Sequence, residues 1–80
     1  MVLKKISATI TEERIFDGVN NYIASIKGDC SFAFPAKKER PLCLNDKVEV
    51  IVRSVPKRGI TELIGVIAEN RTYYAAKYHK

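Results

Sequence analysis

Glu12–Lys27 reads EERIFDGVNNYIASIK, and whether it folds as a helix or a hairpin decides the class of the whole chain. Ile15, Phe16, Val19, Tyr22, Ile23 and Ile26 recur at i, i+1, i+4, i+7, i+8 and i+11, a stripe of helical period. Thr9-Ile10-Thr11-Glu12 supplies a capping box ahead of it, and Gly28 a stop behind it. Against a helix, Asp17, Gly18, Val19, Asn20 and Asn21 together cost roughly 3–4 kcal/mol relative to alanine. Asp17-Gly18 is also a favoured pair for a two-residue type I′ hairpin turn.

Register favours the hairpin. A turn at Asp17-Gly18 sets Phe16 against Val19, Glu12 against Ile23 and Ile10 against Ser25. A second such turn at Gly28-Asp29 sets Lys27 against Cys30, Ser25 against Phe32 and Ile23 against Phe34. One face of the resulting meander holds Ile6, Ile10, Phe16, Val19, Ile23, Cys30, Phe32 and Phe34. The other holds Thr9, Thr11, Glu13, Tyr22, Ala24, Ile26, Ser31 and Ala33. Only Glu12, Arg14 and Lys27 are misplaced, and side chains sort this way when strands are paired in register. The helix remains the alternative and would make the fold α+β.

Upstream, Val2–Thr11 is a strand with Ile6, Ala8 and Ile10 on one side. Downstream, Pro35–Pro41 is a loop, since two prolines bracket four charged residues. Leu42, Cys43 and Leu44 bring the chain back to the core, and Asn45-Asp46 turns it into Asp46–Val55, DKVEVIVRSV. There Val48, Val50 and Val52 alternate with Lys47, Glu49 and Arg53, the period of a strand with one buried face. Ile51 breaks the polar side and predicts partial cover on both faces. Pro56-Lys57-Arg58-Gly59 turns the chain, and Ile60–Ala68 returns it. A bulge or bend at Gly65 accounts for the apolar pairs Leu63-Ile64 and Val66-Ile67. Glu69-Asn70-Arg71 turns again. Thr72–Lys80 reads either as a last strand with Tyr74, Ala76 and Tyr78 on one face or as a helical turn.

The expected fold is all-β. It is a single domain over residues 1–80, a small five-stranded barrel of three-stranded meander, loop and hairpin, with a short C-terminal strand or helical turn. Leu44-Asn45-Asp46-Lys47-Val48-Glu49-Val50 resembles the strand-four entry of cold-shock and initiation-factor-one-like domains of the OB-fold class. The Lys57-Arg58-Gly59 turn and the strand after it look similar too. The resemblance covers residues 44–68, and before that it extends to the order of elements. It implies a surface for single-stranded nucleic acid on the face of strands two and three. The second and third strands, YIASIKGDCSFAF, lack the aromatic boxes of cold-shock domains.

Eighty residues with a net charge of +5 bound the function further. Residues 1–35 carry four Lys/Arg against four Asp/Glu, and residues 36–80 carry ten against five, so the whole excess lies in the second half. A basic half suits a polyanion. The nucleic-acid-binding candidates are Lys37, Lys38 and Arg40 on one loop, Lys57 and Arg58 on a hairpin tip, Lys77 on the tail, and Tyr22 and Tyr74 as stacking rings. Tyr73, Tyr78 and Lys80 add to that material. The same residues also suit plain solvation and a core rim.

The rival partner is a protein, met through a sheet edge or an apolar patch of Ile51, Leu63 or Ile67, or a second copy of the chain. An enzyme is not expected. The one histidine is His79, no nucleophile elbow or phosphate-cradling loop is present, and Glu12 and Glu13 point to opposite faces of a strand. Cys30, Cys43 and His79 fall short of the four ligands of a structural zinc, so no metal or cofactor is expected and the thiols read as buried or half-buried. No apolar run approaches the roughly 20 residues of a membrane span, and no secretion signal is read, so the expected location is cytoplasmic.

Overall fold

The computed structural model describes residues 3–27 and 30–76. They form six antiparallel strands: β1 (Leu3–Phe16), β2 (Val19–Ser25), β3 (Ser31–Pro35), β4 (Lys47–Val55), β5 (Ile60–Ala68) and β6 (Arg71–Ala75). One turn of 3₁₀ helix, Pro56–Arg58, is the sole helical element among the described residues. The chain is therefore all-β, with six strands where five and an undecided tail were expected. Thr72–Ala75 of that tail belong to β6, and Lys77–Lys80 lie outside the described residues.

The strand order is β3-β2-β1-β4-β5-β6. Laid flat at about 4.8 Å per step, β3 and β6 would stand about 24 Å apart. Instead the rings of Phe34 on β3 and Tyr73 on β6 meet edge to face, 5.5 Å between centroids. The sheet thus curls into a half-barrel whose two edge strands approach through side chains. Ile10, Tyr22, Ala24, Phe34, Val48, Val50, Val52, Val66 and Tyr73 fill the concave side.

Asp17 and Gly18 both take positive φ, 49° and 77°, and Phe16 pairs with Val19, as the hairpin reading requires. The register then departs from expectation. Glu12 faces Ile23, but Ile10 faces Ala24 and not Ser25, because Thr11 is an extra residue in β1. A bulge of this kind resets the alternation and bends the strand. β1 uses the bend to change partners: Leu3–Thr9 pairs with β4, and Thr9–Phe16 pairs with β2. At the bend the Ile10 amide donates to the Asp46 carbonyl (2.9 Å), and the Asn45 amide donates to the Ile10 carbonyl (2.7 Å).

The β2–β3 register also differs by one residue. The Ile26 amide donates to the Cys30 carbonyl, and Tyr22 faces Phe34 where Ile23 was expected. Gly28 and Asp29, the expected turn, lie outside the described residues. The two one-residue changes exchange the faces of β2. Tyr22 and Ala24 are buried and Ile26 packs against them, whereas Phe16 and Val19 are exposed. Ile6, Ile10, Phe32 and Phe34 keep their expected side.

In β5 the irregularity is Ile64, beside the expected Gly65: Ile51 faces Gly65 and Val52 faces Leu63. Gly65 answers a close approach. A Cβ there would stand 2.9 Å from the Tyr74 carbonyl oxygen of β6. Leu63, expected as part of an exposed patch, packs against the core, and Ile51 and Ile67 are half-buried. Of Leu42, Cys43 and Leu44, Leu42 alone reaches the core, while Leu44 is 59 % exposed. Cys43 is exposed, not buried, and Cys30 is half-buried. Among the described residues no helix is long and apolar enough to cross a membrane.

Candidate nucleic-acid interface

The loop between β3 and β4, residues 36–46, carries the first group of cations, and buried phenols hold it down. The Lys37 amide donates to the Tyr73 hydroxyl (2.7 Å), and the Leu42 amide donates to the Tyr22 hydroxyl (2.9 Å). A buried Tyr needs such a partner for its polar end. Both amides belong to the irregular loop, so each hydroxyl satisfies a donor that no strand pairs. The Arg40 guanidinium donates to the Thr72 carbonyl of β6 (2.9 Å) and lies over the Tyr73 ring, 5.5 Å from its centroid. The Lys37 ammonium lies over the same ring at 5.7 Å. Cations over a ring face are attracted by its quadrupole.

These contacts sort the candidate residues. Tyr22, expected on the surface as a stacking ring, is 4 % exposed and belongs to the core, because the Thr11 bulge turned its face inward. Tyr73 is 1 % exposed, and Tyr74 is half-buried against Phe34 at 6.1 Å. Arg40 is half-buried and engaged with β6. Lys37 and Lys38 are exposed. With Gly18, Val19, Asn20, Tyr22, Ala36 and Pro41 they line a cleft of about 420 Å³ between the β1–β2 hairpin and the loop. Glu13 also lines it, with its carboxylate accepting from the Asn20 side-chain amide.

Lys57 and Arg58 are exposed on the expected turn, closed by Gly59 at φ 64°. They do not join the first group. Arg40 bonds at Thr72, which pairs with Ile67, which pairs with Glu49. Six residue steps along β4 lead from Glu49 to Val55, about 20 Å at strand rise. Lys77 lies outside the described residues.

Two further hollows carry less charge. A cleft of about 270 Å³ between the loop and the β5–β6 turn is lined by Arg40 and Arg71 but also by Glu39 and Glu69, which cancel them. The outer face of β1–β2–β3 holds a row of hydroxyls, Thr11 to Ser25 at 3.0 Å and Ser25 to Ser31 at 3.1 Å, beside an Arg14–Glu12 ion pair at 2.6 Å. Among the described residues no three of His, Cys, Asp and Glu gather where they would hold a metal ion. Sequence reasoning missed Phe16, assigned to the core and found 44 % exposed at the hairpin tip. Its signal was present: it flanks the Asp17-Gly18 turn, beyond the reach of a core this small.

Compared with known proteins, the chain matches no family model, no curated protein and no solved structure.

Proposed function

We propose that this protein is a non-enzymatic binding domain for single-stranded nucleic acid, with little sequence preference. The observation that carries the reading is the cleft that Lys37, Lys38, Ala36 and Pro41 of the loop line together with Glu13, Gly18, Val19 and Asn20 of the β1–β2 hairpin. Cations beside apolar surface suit a ligand with phosphates and unstacked bases. The excess of five positive charges in residues 36–80 supports it by favouring approach of a polyanion. The curled antiparallel sheet is compatible with the OB-like barrels that the 44–68 segment resembles, and those bind single strands.

Fluorescence anisotropy with labelled mixed-sequence oligonucleotides tests the proposal. Binding is expected at low salt, weakening as salt rises. Lys37→Ser with Lys38→Ser removes two phosphate contacts and should reduce the log–log salt slope by about 1.4, from about 0.7 per contact on single strands. It should weaken all sequences about equally. No binding at low salt with protein at roughly 100 µM, the weak end of non-specific affinity, excludes the function.

One observation favours a second reading, a protein-interaction module. β3 and β6 each pair on one side only, so the sheet has two edges at which a partner's strand, or a second copy, could add. Concentration-dependent dimerisation without oligonucleotide binding would select it.

A further inference from the structure

At the end of the half-barrel away from the Lys37–Lys38 cleft, β1 begins and β4 turns into β5. Leu3 faces Arg53, Arg53 faces Glu62 and Val55 faces Ile60. Side chains alternate along a strand, so Leu3, Val55 and Ile60 share one face with Arg53 and Glu62. It is the outer face, because Val52, beside Arg53, is buried in the core. Leu3 is the diagonal neighbour of Val55, about 7–8 Å away in such a pair. Leu3 is 54 % exposed, Ile60 is 42 % exposed and Val55 is half-buried. Val55 and Pro56 line a hollow of about 450 Å³ together with Arg53, Ser54 and Lys57, so cations and aliphatic carbon meet in one surface. Lys5, two residues on from Leu3, shares its face. Residues 3–5 and 53–62 carry five Lys/Arg against one carboxylate, Glu62, which Arg53 binds. Lys4, Lys5, Lys57 and Arg58 are exposed.

We propose that this end docks on an anionic lipid surface: Leu3, Val55 and Ile60 enter the headgroup region while Lys5, Lys57 and Arg58 meet the lipid anions. The protein lies on such a membrane and does not cross it. Charge calls for an anionic partner, since among the described residues no carboxylate pairs with Lys5, Lys57 or Arg58. Side-chain type favours a lipid over a nucleic acid, because residues 3–5 and 53–62 contain no aromatic ring on which a base would stack. Area favours a lipid over a protein: the three aliphatic side chains expose roughly 200 Å², against about 800 Å² per partner in a stable protein interface. A bilayer surface is continuous in both charge and apolar depth, so a few inserted side chains and several cations suffice for reversible binding. The inference does not depend on the nucleic-acid reading, whose cleft lies at the other end.

The chain contains no tryptophan, so Ile60→Trp installs a single fluorescent reporter at this end. Its emission should shift to the blue on vesicles of equal parts phosphatidylcholine and phosphatidylserine, and should not move on phosphatidylcholine alone. In co-sedimentation with the mixed vesicles, Lys57→Ser with Arg58→Ser should weaken binding by about 30-fold, from about 1 kcal/mol per cation at an anionic surface. Both residues are exposed, so this variant should keep its melting transition. Leu3→Ser with Ile60→Ser, which keeps every cation, should weaken binding by about 10-fold or more. Lys37→Ser with Lys38→Ser should bind vesicles as wild type does, because that cleft lies beyond a Debye length of about 10 Å from the docked end. The inference is overturned if the wild-type protein does not sediment with the mixed vesicles, or sediments equally with phosphatidylcholine alone. Equal binding by the Lys57/Arg58 variant, or loss of binding by the Lys37/Lys38 variant, also overturns it. A blue shift produced by oligonucleotide and not by vesicles makes this end a nucleic-acid contact, and one produced by protein concentration alone makes it a contact between copies. Either result rejects the lipid.

Discussion

A phenol buried to 1 % exposure carries one hydroxyl that water can no longer serve, and in Tyr73 that hydroxyl accepts from the Lys37 amide. Tyr73→Phe leaves the amide without that partner at a cost of about 1–2 kcal/mol. For a domain of this size the melting temperature should fall by about 4–8 °C per kcal/mol, read by calorimetry. Ionisation of Tyr73 is pushed above its ordinary 10.0, chiefly by burial, with the neighbouring Tyr22 phenol adding and the Lys37 amide and Arg40 opposing. The folded chain therefore holds this proton to higher pH than the unfolded chain. The stabilisation is whole below about pH 10 and is lost as pH rises through the folded value. Urea denaturation at about pH 8 and about pH 11 should show wild type losing more stability than Tyr73→Phe, and equal losses would contradict the burial of the phenol as the cause. At this scale Tyr22 and Tyr73 were the least legible residues. Tyrosine suits a surface or a core equally by composition; for Tyr22 a single inserted residue, Thr11, decided which, and Tyr73 is itself the extra residue in the β5–β6 pairing.

The β1–β2 hairpin was legible at its turn and not at its bulge. Asp17-Gly18 names its turn type because positive φ at both positions is tolerated by few residues. The Thr11 bulge has no comparable marker: threonine is an ordinary strand residue, and the period-two pattern simply changes phase after it. The same holds for β2–β3, where a connection one residue longer than expected shifted every pair. Errors of one residue reverse a whole strand face, so a correctly read β1–β2–β3 meander coexisted with an inverted β2. Gly18 has open space around it but a φ of 77°, so its role is conformational. Gly18→Val should cost about 1–2 kcal/mol from the left-handed strain alone, seen as a lowered urea midpoint with unchanged m-value. A midpoint equal to wild type would mean that the hairpin contributes nothing to the cooperative fold.

For the whole molecule, strand identity and order of elements were readable from alternation, while closure was not. Curl arises from accumulated twist and from bulges at Thr11, Ile64 and Tyr73, each of which breaks a register. Curling brings Tyr73 to Phe34 and lets the β3–β4 loop lie across the gap, and that placement puts Lys37 and Lys38 opposite the hairpin. It also separates them from Lys57 and Arg58, which sequence reasoning had grouped in one binding surface. Amide chemical-shift mapping of the ¹⁵N-labelled protein during oligonucleotide titration tests that geometry most directly. The expected result is that shifts cluster at Phe16–Asn20 and Ala36–Lys38, with Lys57–Ile60 at the far hairpin left unmoved. Shifts confined to the far hairpin, or none at saturating oligonucleotide, would contradict the cleft as the binding site.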